Sequence, residues 1–207
     1  MGKLTYFGVY GRAEPIRMLL AHAKVEFEDE RITFEQWGAM KAHQPNGQVP
    51  VWTENGKQMN QSMAILRMLA KSHGFYAEEP EKMWAIDASA DTVNDSFAKI
   101  PPLVMGKKFD EEGHKTYKAA VQTCADYIHK NLHSHQGHFL AGPELSMADF
   151  VAASFIFGCI FNEAFPMQEW AKGGQEIFHS HHNVKAYVER LQETFHHYLK
   201  HRPAAPM

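Results

Sequence analysis

The sequence predicts an α/β domain over residues 1–75 and an all-helical domain over residues 82–207. Two observations lead there. Strand and helix signals alternate as β-α-β-α-β-β-α up to about residue 74. Beyond residue 82 the strand signals stop, and apolar residues recur only at helical spacing. Between the two, Phe75-Tyr76-Ala77-Glu78-Glu79-Pro80-Glu81 reads as a linker. Composition agrees: 207 residues, 44% hydrophobic and 22% charged, suffice for a sizeable core and exclude a disordered chain. A net charge of −3 without any basic block excludes an electrostatic nucleic-acid binder.

Lys3–Phe7 is the opening strand, broken by Gly8 and Gly11. Glu14 and Pro15 suit the first turn of a helix, whose apolar face is Ile16, Leu19, Leu20 and Ala23. Tyr6 therefore ends a strand and Arg12 sits on the turn into a helix. That places a phenol and a guanidinium at the carboxyl end of a sheet, where open α/β sheets bind ligands. Glu26–Ile32 is a second strand. Phe34–Ala42 is a short helix with Trp37 and Lys41 on one face. Glu54-Asn55-Gly56-Lys57 makes a hairpin turn between Val51-Trp52 and Gln58–Asn60, because Asn-Gly suits the type I′ geometry. Ser62 is a candidate N-cap for a helix carrying Ile65, Leu66 and Leu69, stopped by Gly74.

In the helical half, Met83, Ile86, Ala90, Val93, Phe97 and Ile100 form one long helix ended by Pro101-Pro102. Tyr117, Val121, Cys124, Ile128 and Leu132 form a second. Ser146-Met147-Ala148-Asp149 is a capping box with Leu145 and Phe150 as a hydrophobic staple. The helix after it is apolar nearly all round and should be buried centrally. Val184, Val188, Leu191, Phe195 and Leu199 form the last.

Several residues can carry chemistry. Val49-Pro50 precedes a strand where thioredoxin-like domains keep a cis peptide, which turns the Val49 N–H and C=O outward to pair with an extended peptide. An ordinary trans edge-strand proline is the alternative. Gln61-Ser62, at a helix N-terminus, suits a carboxylate. Asp87, Asp91 and Asp95 form an acidic stripe, with Asp87 read as solvated. The fourteen histidines include His133, His135 and His138, then His179, His181 and His182, then His196, His197 and His201. None joins a cysteine cluster or a His-Glu-x-x-His motif, so no metal is expected. Cys124 and Cys159 read as buried thiols. A signal-peptide core is absent, Tyr6 stands where myristoylation wants Ser or Thr, and the longest apolar run, Phe150–Phe161, is too short to span a bilayer. A cytoplasmic protein with no membrane or nucleic-acid partner is expected.

Together these motifs resemble the glutathione transferases, most closely the sigma class to which glutathione-dependent prostaglandin D synthases are related. The residues that carry the resemblance run from 4 to about 150. They are Leu4-Thr5-Tyr6-Phe7 with Gly11-Arg12-Ala13-Glu14, Trp37 with Lys41, Gly47-Gln48-Val49-Pro50-Val51, Gln61-Ser62-Met63-Ala64-Ile65 and the Ser146–Asp149 box. The carboxyl end, Tyr198–Pro203, also fits.

The resemblance implies a thioredoxin-like domain (βαβαββα), an all-helical domain, a homodimer, and glutathione as co-substrate without a metal. It implies that Tyr6 donates its O–H to the glutathione sulfur while Arg12 adds positive charge. A free cysteine thiol has a pKa of about 8.5, so such help is needed for a thiolate at neutral pH. Trp37 and Lys41 would hold the glycyl end. Val49 would pair with the cysteinyl backbone, with Phe7, Gly47, Gln48 and Pro50 beside it. Gln61 and Ser62 would take the γ-glutamyl carboxylate, and Asp95 would reach the amino group of the neighbouring subunit's glutathione. Val9, Tyr10, Phe97 and Phe155 would make an apolar pocket for a small hydrophobic electrophile. Tyr10 replaces a position often basic in sigma enzymes, and Asn46 replaces an aromatic dimer key of other classes. Pro102 and Val151 stand near places where the prostaglandin isomerases carry aromatic residues. The activity implied is conjugation of glutathione to hydrophobic electrophiles. The alternatives are a glutathione-dependent isomerase or peroxidase on lipid-derived substrates, and a non-enzymatic crystallin-like or ligand-carrying relative.

Overall fold

The computed structural model describes residues 1–134 and 138–207, so His135 lies outside the described residues. Four strands make one mixed sheet in the order β2-β1-β3-β4. β1 (Gly2–Phe7) runs parallel to β2 (Phe27–Ile32), with Tyr6 opposite Arg31. β3 (Val51–Glu54) is antiparallel to β1 and turns back into β4 (Lys57–Asn60). Asn55 and Gly56 at that turn both have positive φ, 50° and 74°, as the type I′ turn requires. α1 (Glu14–His22) crosses between β1 and β2, and α2 (Phe34–Met40) follows β2. α2 buries no residue and is held at its start by Thr33 and Gln36, each side chain bonding the other's main-chain N–H. α3 (Ser62–Ser72) packs against α1 and completes the βαβαββα unit of a thioredoxin-like domain.

The remaining elements are helical: α4 (Pro80–Phe97), α5 (Pro101–Met105), α6 (Glu111–Ser134), α7 (Met147–Phe155), α8 (Gln168–His179), α9 (His182–Thr194) and α10 (His196–His201). α7 continues into a π-helical turn, Ile156–Ile160. Every residue of both is buried, so this is the central helix expected from its all-round apolar sequence. It packs against α1 on one side and α4 on the other and so ties the two halves together. Among the described residues no helix is long and apolar enough to cross a membrane.

The structure corrects four expectations. The long helix stops at Phe97, and Pro101-Pro102 open α5 rather than only ending what precedes them, since proline fits the first helical turn. The last helix is two, because Phe195 leaves helical geometry at φ −106°, ψ 13°. α8 was not read from the sequence: its apolar Trp170, Ala171, Ile177 and Phe178 are interrupted by Gly173-Gly174. Asp87 is not a solvated acid. It accepts from Arg67 Nε at 2.9 Å and from the Tyr76 hydroxyl at 2.7 Å, pinning α4 to α3 and to the linker. Cys124 and Cys159 are both unpaired and wholly buried, and burial pushes both thiols up.

Candidate functional site

The site begins where β1 ends. Tyr6 is half-buried, and its hydroxyl oxygen accepts the main-chain N–H of Arg12 at 3.2 Å. That approach requires glycine at position 11. Gly11 has φ +48°, and a Cβ there would stand 2.6 Å from the Tyr6 hydroxyl. Burial pushes the phenol above the usual tyrosine value; the Arg12 N–H and the charges of Arg12 and Arg17 pull the other way without reversing it. At neutral pH the phenol therefore keeps its proton and can donate it in a hydrogen bond. The Arg12 side chain is exposed and makes no hydrogen bond or ion pair among the described residues, so its cation is available.

Beside this turn lies a cavity of about 550 Å³. Phe7, Arg12, Trp37, Lys41, Gly47, Gln48, Val49, Pro50, Gln61 and Ser62 line it, converging from five separate stretches of chain. The wall is positive: two cations, Arg12 and Lys41, and no carboxylate. Phe7 stacks on Phe34 with ring centroids 4.7 Å apart and meets Trp37 edge-on at 5.8 Å, fixing one end. Lys41 caps α2 through its N–H to Trp37 O, which brings both side chains to the same rim. The Val49–Pro50 peptide bond is cis, and the Val49 N–H and C=O make no main-chain hydrogen bond among the described residues.

The opposite rim corrects one expectation. Ser62 is not the N-cap of α3 but its first helical residue; Gln61 is the cap, without a side-chain bond. Gln61 adopts φ 69°, ψ 103°, a conformation costly for a non-glycine residue and typical of ligand-binding positions. The effect is to leave the first N–H groups of α3 uncapped and pointing with the helix dipole at the cavity.

A second, narrower cleft adjoins the first, and Arg12 and Ser62 line both. It holds only about 10 Å³, roughly one water. Of the four residues expected for an electrophile, Phe97 lines this cleft, with Val151 and Met63. Phe155 is wholly buried behind Phe97, edge-on at 6.4 Å. Tyr10 is buried under the Arg202 guanidinium, 3.9 Å from its ring centroid, and Val9 is half-buried. Asp95 is exposed on α4 and lines neither space. Among the described residues no group of three or more His, Cys, Asp or Glu side chains is arranged to hold a metal ion.

Comparison with known proteins places this arrangement. Residues 2–71 match the glutathione S-transferase amino-terminal domain, and residues 94–202 match the carboxyl-terminal domain. A Caenorhabditis elegans protein named Glutathione S-transferase 3 is 39% identical over 158 residues, covering 73% of this chain and 76% of its own. The chain belongs to the glutathione S-transferase family. Among solved structures, a prostaglandin synthase D of Nilaparvata lugens is 29% identical with a TM-score of 0.80, covering 98% of this chain and 99% of that one. A glutathione S-transferase of the hookworm Necator americanus, described as monomeric, is 28% identical with a TM-score of 0.83 over 100% and 99% of the two chains.

In this family member the turn bearing Tyr6 and Arg12 rests on an ionic network that the sequence reading did not single out. Arg17 is 1% exposed, and Glu14 is fully buried. Arg17 donates to the main-chain oxygens of Val9 at 2.8 Å and Tyr10 at 3.3 Å, and to Asp29 at 3.0 Å. Its charge also lies 5.9 Å from the Tyr6 ring centroid. Glu14 accepts from Arg202 at 2.8 Å and from the Tyr198 hydroxyl at 3.0 Å, with Arg17 at 3.5 Å. A buried acid between two cations costs desolvation but specifies one arrangement. Here that arrangement fixes the 9–11 backbone, which sets where Tyr6 and Arg12 stand. The available signal was the Glu14–Arg17 pair three apart on α1, beside apolar Ile16 and Leu20.

Proposed function

We propose that the chain conjugates the thiolate of glutathione to small hydrophobic electrophiles, working as a homodimer with sigma-class chemistry. The observation that carries this is the 550 Å³ cavity with two cations and no acid, opening beside a protonated Tyr6 hydroxyl. Glutathione carries two carboxylates and one ammonium, and such a wall complements it. Lys41 and Trp37 hold the glycyl carboxylate, and the uncapped start of α3 with Gln61 and Ser62 holds the γ-glutamyl carboxylate. The unpaired Val49 main chain pairs with the cysteinyl residue as a strand edge does. The sulfur then sits at the Tyr6 hydroxyl, whose hydrogen bond favours the thiolate, with Arg12 adding charge. The electrophile enters the adjoining cleft by swinging aside Arg12 and Met63, the first of which is exposed and unpaired.

In the proposed homodimer Trp84, 71% exposed on the same helix as Asp95, lies with it in the subunit interface. Asp95 of one subunit then meets the glutathione amino group in the other. Calorimetric titration with glutathione tests this. Asp95→Ala should weaken binding about fivefold, as an exposed ion pair of ~1 kcal/mol implies; unchanged affinity removes Asp95 from the site. The unpaired, buried thiols fit a cytosolic setting.

Conjugation is tested by mixing the protein with glutathione and an aryl halide: thioether formation supports the reading, and its absence with glutathione bound refutes it. The likeness to a prostaglandin synthase D favours a second reading, glutathione-dependent isomerisation of a lipid endoperoxide. Product analysis separates them, because isomerisation returns glutathione unchanged.

A further inference from the structure

α2 supplies two of the groups at one end of the cavity, Trp37 within the helix and Lys41 at its cap, yet the helix itself is weakly held. It is seven residues long, has Gly38 near its middle and buries none of its residues. A helix that short is marginal in water without tertiary support, and an interior glycine weakens it further. Thr33 and Gln36 bond each other's main chain, which closes the first turn but ties it to nothing outside. Among the described residues no side-chain hydrogen bond or ion pair joins residues 33–43 to the rest of the chain.

What remains is aromatic contact with one ring of the sheet. Phe34, the first residue of α2, lies on Phe7 with centroids 4.7 Å apart and planes 27° from parallel. Phe7 ends β1, and Trp37 meets the same ring edge-on at 5.8 Å. Positions 34 and 37 share a face of the helix, so both grip that ring. Phe7 and Trp37 line the cavity; Phe34 lines neither cavity of the site and is 70% exposed. Phe34 therefore reaches a bound ligand only through the helix it anchors.

We propose that Phe34 is a positioning residue: its stack on Phe7 holds α2 against the sheet, so that Trp37 and Lys41 stand at the cavity before glutathione arrives. The inference rests on the glutathione reading of that cavity. A site assembled in advance spares the ligand the cost of ordering it, and apparent affinity falls with the fraction of the protein in which α2 is out of place. The loss is read in binding and not in chemistry, because the Tyr6 hydroxyl is set by the Gly11–Arg12 turn.

The test is Phe34→Ala in the full chain. Calorimetric affinity for glutathione should fall about three- to tenfold, as loss of one aromatic pair implies. Turnover with saturating glutathione and an aryl halide should stay within about twofold of wild type. Hydrogen–deuterium exchange of the ligand-free chain should quicken about threefold or more over residues 35–41 and stay unchanged in α1 and α3. The thermal midpoint should move by less than about 2 °C, because the side chain is mostly exposed; a general stabilising role would lower midpoint and turnover together. Phe34→Tyr, which keeps the ring, should retain wild-type affinity and exchange. In a Lys41→Ala background Phe34→Ala should cost less affinity than it costs wild type, because α2 then has less to deliver. Unchanged affinity or unchanged exchange in Phe34→Ala, turnover falling in step with affinity, or an equal cost in the Lys41→Ala background overturns the proposal. If wild type takes up no glutathione the functional reading falls, and exchange over α2 alone decides whether Phe34 holds that helix.

Discussion

Tyr6→Phe is expected to lower turnover with glutathione and an aryl halide about 10- to 150-fold, with glutathione affinity changed by less than about twofold. The magnitude follows from the roughly 1.5–3 kcal/mol that a hydrogen bond to a charged group contributes. The split between turnover and binding follows from the geometry. The ring that remains still packs against Phe7, which lines the cavity, and the carboxylate-binding groups lie elsewhere, at Lys41 and at the start of α3. The lost O–H acts only on the sulfur. Burial holds the Tyr6 proton in place, so the phenol is present as a donor through the neutral range. Steady-state kinetics with calorimetric binding checks this; unchanged turnover removes the role given to Tyr6.

Asp149→Ala is expected to destabilise the protein by about 3–5 kcal/mol, the usual cost of breaking a buried polar network. Asp149 is fully buried and accepts four hydrogen bonds: from Leu140 N at 2.9 Å, Ser146 N at 2.8 Å, Ser146 Oγ at 2.9 Å and the Tyr187 hydroxyl at 2.8 Å. Burial pushes its carboxyl up, and those four donors pull it down. Removing the acceptor strands two main-chain N–H groups and two hydroxyls in the core and frees the start of α7, the helix on which both halves pack. For a chain of this size the midpoint of thermal unfolding should fall by roughly 10 °C or more. A fall of under about 2 °C contradicts the role.

The amino-terminal domain was legible because its signals are local. Tyr6, the Gly8–Gly11 break, Asn55-Gly56 and the Trp37–Lys41 spacing each report on their own few residues. The ten residues that line the cavity beside Tyr6 all belong to motifs that stand out in the sequence. What was not legible depends on distant partners. Asp87 looked solvated because its partners, Arg67 and Tyr76, are set by how α3 meets α4. Gln61 could not be told from a simple preceding residue, because its positive φ is imposed by the route from β4 into α3. Arg17 and Glu14 read as helix-surface charges, yet lie buried under Arg202, which is 185 residues or more further along the chain. Phe155 could not be told from a pocket-lining residue, because a helix apolar all round has no marked face.

The most direct measurement is the pH titration of the glutathione thiol on the protein, followed by thiolate ultraviolet absorbance in wild type and Tyr6→Phe. In wild type the bound thiol should titrate about one unit or more below the roughly 8.5 of a free cysteine thiol. The conjugation rate should rise with pH through that same value. It should then stay level until the medium is alkaline enough to ionise Tyr6, whose proton burial holds above the usual tyrosine value. In Tyr6→Phe the thiol should return toward the free value. A bound thiol that titrates at the free value in wild type, or a depression equal in both proteins, contradicts the claim that the Tyr6 hydroxyl makes the nucleophile.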